Sequence, residues 1–170
     1  MNTLFRAALV STLVLSVAAC SQKTKPVEPE PEVTPPPVVD TTPVSDGKFT
    51  PADLDTDSCL RQRVIYFDFD RDELKPEFNA IVSCHAKYLR DRPSARMTLE
   101  GHADERGSRE YNMGLGERRG NSVFSAVQAN GGASSQLNVV SYGEERPMCT
   151  DSTESCWSQN RRVEVVYTAK

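Results

Sequence analysis

An acidic side chain in a turn and a basic side chain in the helix behind it are the groups best suited to chemistry in this chain. Asp104 lies in the stretch 99–107, LEGHADERG, and Arg119 lies in the run 108–130, whose apolar residues have helical spacing. On a helical wheel Arg119 falls in the middle of the arc that should face the core, where a guanidinium is costly unless acceptors receive its hydrogen bonds. Asp104 is the nearest candidate acceptor. Such a pair is either a prepared acid–base pair in a pocket between a strand end and the helix or a structural salt bridge that closes the turn.

The helix 108–130 is the element that must position this pair. Its apolar arc comprises Tyr111, Leu115, Val123 and Ala126, with Asn112 beside Arg119 and Val127 at the edge. Ser108 is a suitable N-cap, and the unpaired amides of the first turn can hold an anionic group. Glycine is unfavourable inside a helix. A close approach of the helix to a sheet or a ligand accounts for Gly116 and Gly120, whereas Gly114 has no explanation in the sequence.

Alternating and helical patterns place four strands and two helices around the site. The strands are predicted at 63–69, 96–101, 137–142 and 161–168, and the helices at 76–92 and 108–130, with a polar loop at 143–160. Ile65, Phe67 and Phe69 should share one face of the first strand. This order, βαβαββ, predicts an α/β (α+β) two-layer sandwich, a small mixed sheet with helices packed on it. His85, near the apolar face of the helix 76–92, is expected to be partly buried with its hydrogen bonds satisfied rather than to bind a ligand.

The first 19 residues are predicted to be a signal peptide. Arg6 precedes an apolar run, 7–19, that is too short to cross a bilayer as a helix. The stretch 17–20, VAAC, resembles the bacterial lipobox, which implies cleavage before Cys20 and acylation of that cysteine. Ser21 after it is similar to the outer-membrane sorting pattern. The alternative is an ordinary signal peptide followed by an incidental cysteine.

Proline dominates the stretch that follows. Residues 20–50 are predicted to be a disordered or polyproline-like tether, because a segment made mainly of Pro, Val, Thr and Glu cannot form a core. About thirty extended residues reach up to roughly 90 Å. The folded domain is predicted at 51–170. The formal net charge of −4 gives no indication of a nucleic-acid partner.

The cysteine count fits an oxidising compartment. With the lipobox cysteine set apart, four cysteines remain, an even number that suggests two disulfides in one of three pairings. The local pairing, Cys59 with Cys84 and Cys149 with Cys156, is favoured. A zinc site is the competing interpretation because His85 adjoins Cys84, but the spacing matches no standard zinc finger or ribbon.

Six motifs occur in order along the chain. They are FDFD at 67–70, EGHADERG at 100–107, YN at 111–112, LGERR at 115–119, VSYG at 140–143 and NRRV at 160–163. Together they resemble the outer membrane protein A C-terminal-like domain family over about residues 60–168. Gly116 and Gly120 depart from the family, which more often has Ser or Ala there, and the four domain cysteines are not part of its pattern.

The resemblance implies non-covalent binding of the peptidoglycan stem peptide at diaminopimelate. Carried over by position, the ligand-binding residues are Asp104, Arg119, Phe69, Asp70, Glu105, Ser108 and Leu115, with the stretch 105–108 acting through its backbone. The side-chain end of diaminopimelate is zwitterionic. Asp104 can therefore accept from the ammonium while Arg119 grips the carboxylate with two parallel hydrogen bonds, which a lysine cannot do.

The resemblance also implies a place in the cell envelope. A lipid-anchored member of this family is expected on the periplasmic face of the outer membrane, docked to TolB and other components of the Tol system. No enzymatic activity, cofactor or metal is expected. Such a protein would link the outer membrane to the cell wall and serve envelope integrity and membrane constriction at cell division.

Two other classes of function compete with a wall tether. A metal-dependent periplasmic hydrolase would use Glu100, His102 and Asp104, but no HExxH motif occurs, and His85 and His102 lie on different elements. The stator-like wall anchor of a motor needs an N-terminal membrane span, for which the run 7–19 is too short. The wall tether is the favoured function.

Overall fold

A four-stranded mixed sheet organises residues 46–170, the part of the chain that the computed structural model describes. Its strands are β1 (Val64–Tyr66), β2 (Arg96–His102), β3 (Leu137–Gly143) and β4 (Arg162–Ala169), in the spatial order β1-β4-β2-β3. Strand β4 is antiparallel to β1 and β2, whereas β2 and β3 are parallel. The predicted small mixed sheet is confirmed. The predicted signal peptide, Cys20 and most of the tether lie outside the described residues.

Two long helices and two short ones accompany the sheet. They are α1 (Asp53–Thr56), α2 (Asn79–Asp91), α3 (Arg109–Ala129) and α4 (Glu154–Asn160), with 3₁₀ turns at Pro76–Phe78 and Ser134–Gln136. Helices α2 and α3 agree with the prediction. The polar loop predicted at 143–160 is wrong at its C-terminal end, where α4 forms, because so short a helix shows too little periodicity in the sequence. Within residues 46–170 no helix has the length and apolar character needed to cross a membrane.

Strand β1 ends three residues before its predicted limit. Ile65 and Phe67 are buried as predicted, but Phe69 is 54% exposed. The chain turns at Asp70, whose φ of 55° lies in the left-handed region. The prediction that Phe69 shares the buried face of the strand is therefore wrong, and its ring lies at the surface beside this turn.

Glycines let helix α3 lie directly on β2 and β3. A Cβ atom on Gly101 would lie 1.9 Å from the carbonyl oxygen of Gly116, and one on Gly120 would lie 2.5 Å from Cγ1 of Val139. A larger residue at either position would force the helix away from the sheet. The close approach predicted for Gly116 and Gly120 is confirmed, whereas nothing in the structure explains Gly114.

The core lies between the long helices and the sheet. Its buried residues include Ile65, Phe67, Val82, Leu89, Met97, Leu99, Val123, Val127, Val163 and Val165. On the arc predicted for α3, Leu115 is also buried and Ala126 is partly buried, but Tyr111 is 45% exposed. The Tyr111 hydroxyl donates to Asp70 instead. The prediction that Tyr111 faces the core is therefore wrong.

Residues before the predicted domain start also pack on the fold. The ring of Phe49 lies 6.4 Å from the ring of Tyr88, and its backbone N–H donates to Oδ2 of Asp91 at 2.9 Å. The Lys87 ammonium lies 4.5 Å from the centre of the Phe49 ring. The folded part of the chain therefore begins no later than Phe49, two residues before the predicted boundary at 51.

Both predicted disulfides are present in the structure. Cys59 is bonded to Cys84, which joins the segment before β1 to helix α2. Cys149 is bonded to Cys156, which joins the loop after β3 to helix α4. The zinc interpretation of these cysteines is therefore wrong.

His85 has two hydrogen-bond partners in the core. Its Nε2 lies 3.0 Å from the carbonyl oxygen of Gln62, and its Nδ1 lies 2.9 Å from the hydroxyl of Tyr167. Because a carbonyl only accepts, Nε2 carries the proton and Nδ1 accepts from Tyr167. Burial lowers the pKa of His85, so this neutral arrangement persists at neutral pH. The interpretation of His85 as a satisfied structural residue is confirmed.

Candidate functional site

A cavity of about 340 Å³ opens where strand β2 ends and helix α3 begins. Its lining residues come from the turn after β1, the turn 103–107 and the first half of α3: Phe69, Asp70, Asp104, Arg106, Gly107, Tyr111, Asn112 and Leu115. Four of the predicted site residues, Phe69, Asp70, Asp104 and Leu115, are therefore brought together. Arg106 is part of the cavity but was not among the predicted residues, although it stands only two positions after Asp104.

Asp104 is buried and held by two arginines. Its Oδ1 accepts from the backbone N–H and the Nε–H of Arg106, both at 3.1 Å. Its Oδ2 accepts from Nη2 of Arg106 at 2.8 Å and from Nη1 of Arg161 at 3.2 Å. Burial acts to raise the pKa of Asp104, but the hydrogen bonds from Arg106 and Arg161 outweigh it and hold the pKa below its usual value. The carboxylate is therefore ionised at neutral pH.

Arg106 is in contact with two aromatic rings. Its guanidinium carbon lies 4.0 Å from the ring centre of Phe69 and 4.1 Å from that of Trp157. Hydrogen bonding to Asp104 raises the pKa of Arg106, so the group stays charged. Among the described residues, Nη1 of Arg106 has no hydrogen-bond acceptor. Arg106 thus presents to the cavity an oriented cation whose Nη1 N–H groups remain available to a ligand.

Arg119 is not paired with Asp104 as predicted. Its side chain is fully buried, and its nitrogens donate to three carbonyl oxygens, those of Arg71 at 2.8 Å, His102 at 2.8 Å and Asp68 at 3.0 Å. Burial lowers the pKa of Arg119 to about 10, so it remains protonated at neutral pH. The predicted ion pair is wrong because Arg106 and Arg161 occupy the Asp104 oxygens, and backbone carbonyls of the turn after β1 and of the last residue of β2 satisfy Arg119 instead.

Asp70 and Asn112 complete the polar rim of the cavity. Asp70 is exposed, and its Oδ1 accepts from the Tyr111 hydroxyl. Asn112 is buried and donates from Nδ2 to the carboxylate of Glu144, while its Oδ1 has no partner within residues 46–170. One side of the cavity thus carries the exposed carboxylate of Asp70, which favours a donor group on a ligand, whereas the amide oxygen of Asn112 is enclosed by the protein.

Glu105 and Ser108, two further predicted site residues, do not line the cavity. The Glu105 carboxylate accepts from Ser152 Oγ at 2.7 Å and from Trp157 Nε1 at 3.1 Å. The Ser108 hydroxyl accepts from the N–H of Tyr111 at 3.2 Å and so caps α3, as predicted. Their predicted contribution through the backbone remains a prediction.

The residues of the hydrolase alternative do not form a metal site. Nε2 of His102 lies 4.0 Å from Oε1 of Glu164, and its ring stacks 5.5 Å from Tyr142, while the Asp104 oxygens are bound to arginines. Among residues 46–170 no three His, Cys, Asp or Glu side chains are grouped as a metal ion would require. The geometry gives this alternative no support.

His102 makes the folding free energy depend on pH. Burial, with help from the Arg162 and Arg146 charges, lowers its pKa from 6.5 to about 4, although Glu164 acts in the opposite direction. Between these values the unfolded chain binds a proton that the folded domain does not, so stability should rise with pH from about 4 to 6.5. The rise from this residue is at most roughly 3 kcal/mol.

A His102→Phe variant should flatten this rise while keeping the stacking on Tyr142, because neither ring nitrogen has a hydrogen-bond partner among the described residues. Urea denaturation of both proteins at several pH values between 4.5 and 7 measures the slopes. Equal slopes in the two proteins would show that His102 is not the group responsible.

The fold and site agree with comparisons to known proteins. The chain belongs to the OmpA family, which its residues 66–161 match. Within that family it is similar to curated peptidoglycan-associated lipoproteins. The one from Pseudomonas aeruginosa is 47% identical over 113 residues, 66% of this chain and 67% of the relative. The one from Haemophilus influenzae is 33% identical over 167 residues, 98% of this chain and all of the relative.

Comparison with solved structures also finds similarity to a peptidoglycan-associated lipoprotein. The crystal structure of the peptidoglycan-associated lipoprotein from Burkholderia pseudomallei superposes with a TM-score of 0.66 at 38% identity, covering 67% of this chain and 97% of that one. The C-terminal domain of Helicobacter pylori MotB, at 19% identity and a TM-score of 0.57, covers 62% of this chain and 83% of that one and shares the fold alone. These relatives are named as peptidoglycan-associated lipoproteins and not as enzymes, in agreement with the prediction.

Proposed function

We propose that this protein is an outer-membrane lipoprotein that binds peptidoglycan non-covalently at the diaminopimelate of the stem peptide. The observation that carries the proposal is the cavity at the start of α3, where Asp70, Asp104 and Arg106 present charges of both signs within one small volume. The names of its curated relatives, which associate them with peptidoglycan, support the same ligand. The zwitterionic end of diaminopimelate carries a matching pair of charges.

The charges suggest how the ligand is oriented. The Asp104 oxygens already accept four hydrogen bonds, so the ligand ammonium is expected to donate to the exposed carboxylate of Asp70, with Asp104 contributing its field. The ligand carboxylate is expected at Nη1 of Arg106 and at the backbone N–H groups that open α3. In this orientation Arg119 supports the site by binding the carbonyls of the turn after β1 and of the end of β2. The competing assignment is that Arg119 binds the ligand carboxylate directly, as the sequence predicts.

A sedimentation assay with purified cell walls tests the proposal. The wild-type protein should co-sediment with walls whose stem peptides contain diaminopimelate. It should bind walls that contain lysine at that position much more weakly, because lysine lacks the second carboxylate. Asp104→Ala should reduce binding to the first kind of wall. Equal binding to both kinds of wall would contradict recognition of diaminopimelate.

The lipid anchor is a separate part of the proposal. Cys20→Ser should give a protein that is no longer held in the outer membrane, because both acylation steps depend on the thiol and on cleavage before it. Membrane fractionation followed by a carbonate wash measures this. If the Cys20→Ser protein still remains with the outer membrane after the wash, the anchor is not at this cysteine.

We further propose, from the family resemblance, that the domain docks to TolB and other Tol components and acts in outer-membrane constriction at cell division. Affinity capture of TolB by the purified domain tests the first part. Competition by a soluble diaminopimelate-containing muropeptide would place the docking surface at or near the cavity, and undiminished capture would place it elsewhere.

A further inference from the structure

A short segment held by a disulfide lies beside the cavity and does not line it. This stapled segment, residues 149–161, contains helix α4, and the bond between Cys149 and Cys156 closes its N-terminal part, 149–156. The side chain of Asn160 fastens it a second time, accepting from the N–H of Met148 at 2.7 Å and donating to the carbonyl of Cys149 at 2.9 Å. The segment is therefore held as a rigid unit rather than a loose loop.

The stapled segment contacts the charged residues of the site at several points. Trp157 covers one face of the Arg106 guanidinium at 4.1 Å, and its Nε1–H donates to Glu105 at 3.1 Å. Glu154 lies 2.5 Å from Nη2 of Arg161 and 3.5 Å from Nη2 of Arg106. The segment thus touches both arginines that hold Asp104.

These contacts restrict a side chain that would otherwise be mobile. An arginine at the surface has many rotamers, and ordering one of them when a ligand binds costs free energy. Phe69 and Trp157 both lie against the Arg106 guanidinium, and Asp104 holds its Nε edge, so the group is already oriented before a ligand arrives. Without Trp157 one of these two ring contacts would be lost.

We propose that the stapled segment is a working part of the binding site, with Trp157 as a positioning residue for Arg106, so that ligand affinity depends on the bond between Cys149 and Cys156. This inference rests on the proposed function and adds that ligand binding depends on the oxidation state of Cys149 and Cys156. Opening the bond requires a dithiol reductant. The dithiol gives up two electrons and two protons and becomes a disulfide, while Cys149 and Cys156 become two thiols.

Substitutions of Trp157 test the positioning role. With the full-length lipoprotein in detergent and a soluble diaminopimelate-containing muropeptide, Trp157→Leu should weaken binding about three- to tenfold, the loss expected for one stacked cation. Trp157→Phe should recover most of the affinity because it restores a ring over Arg106. Melting curves of the same samples separate this effect from unfolding. Wild-type affinity in Trp157→Leu, or an equal loss in Trp157→Phe, would overturn the positioning role.

The two disulfides provide a matched pair of variants. Replacing Cys149 and Cys156 together by serine should weaken muropeptide binding severalfold. Replacing Cys59 and Cys84 together should lower the melting temperature but leave the affinity of the folded protein unchanged, because that bond joins α2 to the segment before β1 and does not touch the cavity. Equal affinity in the two double variants would overturn the dependence on the stapled segment.

Trp157 also supplies a direct measurement, since it is the only tryptophan in the chain. Its fluorescence should change when the muropeptide binds the wild-type protein, because the ligand contacts the arginine on which the ring is stacked. Binding without any change in emission would overturn the inference and leave the proposed function standing. A wild-type protein that does not bind the muropeptide at all would overturn the proposed function itself.

Discussion

Arg119→Met should unfold the domain at a much lower temperature than the wild-type protein. The side chain is fully buried and gives hydrogen bonds to three backbone carbonyls, so its loss removes all three bonds and takes this donor from the buried carbonyl of His102. Removing a buried, hydrogen-bonded charge of this kind costs about 3–5 kcal/mol. For a domain of this size the melting temperature should fall by roughly 10 °C or more.

The neighbouring arginine is a matched control. Arg118 is exposed, with one ion pair of 3.7 Å to Asp72, so Arg118→Met should change stability by no more than about 0.5 kcal/mol. Arg119→Lys should lie between the two, because one ammonium cannot reach three carbonyls in the directions that a guanidinium does. An Arg119→Met protein that melts like the wild type but no longer binds peptidoglycan would contradict the supporting role and favour the direct carboxylate grip.

Asp104→Asn should reduce muropeptide affinity by about 30- to 150-fold, equivalent to roughly 2–3 kcal/mol. The amide keeps the size of the carboxylate but removes its charge, and its N–H donors face those of Arg106 and Arg161, which donate to the carboxylate in the wild-type protein. Arg106 would lose its orientation, and the cavity would lose the negative field that attracts the ligand ammonium. Calorimetric titration with the soluble muropeptide measures the affinity.

A second carboxylate close to the cavity provides the control for charge alone. Glu110 is exposed in the first turn of α3 and does not line the cavity, so Glu110→Gln makes the same change in net charge outside the site. The affinity of the Glu110→Gln variant for the muropeptide should fall less than threefold, because the charge it removes is exposed and screened by solvent and salt. A similar loss in both variants would mean that overall charge, not the Asp104 contacts, controls binding.

The sequence carries enough information to locate the site but not to assign its hydrogen bonds. The helical period shows that Arg119 points inward, yet its three acceptors come from Asp68, Arg71 and His102, whose approach depends on the tertiary fold. Asp104, in the turn before the helix, is the acceptor that the sequence suggests for Arg119. The residue that satisfies Asp104 from the far end of the chain, Arg161, lies 57 positions away, beyond the reach of any local pattern.

Short elements explain most of the remaining differences between the sequence prediction and the structure. Helix α4 has seven residues, too few for a helical period to emerge, so the sequence does not predict the contact between Trp157 and Arg106. Phe69 continues the alternation of β1 in the sequence, but the turn at Asp70 takes its ring out of the sheet. The close packing of α3 on the sheet is predictable from the sequence, because Gly116 and Gly120 fall at the edge of its inward arc, where glycine otherwise destabilises a helix.

The packing of Phe49 on α2 bears on how the domain responds to mechanical load. A pull that arrives from the N-terminal side meets the hydrogen bond from Lys87 Nζ to the Gly47 carbonyl first, then the contacts of Phe49 with Tyr88 and Asp91, and then the buried Leu54. Peeling must stop at Cys59, because its covalent bond ties the chain to α2. Residues 46–58 can therefore lengthen to about 45 Å, at roughly 3.5 Å per residue, before any force acts on the three-residue edge strand β1. The domain thus has an extensible section with a covalent stop between the pulling end and the sheet that supports its cavity.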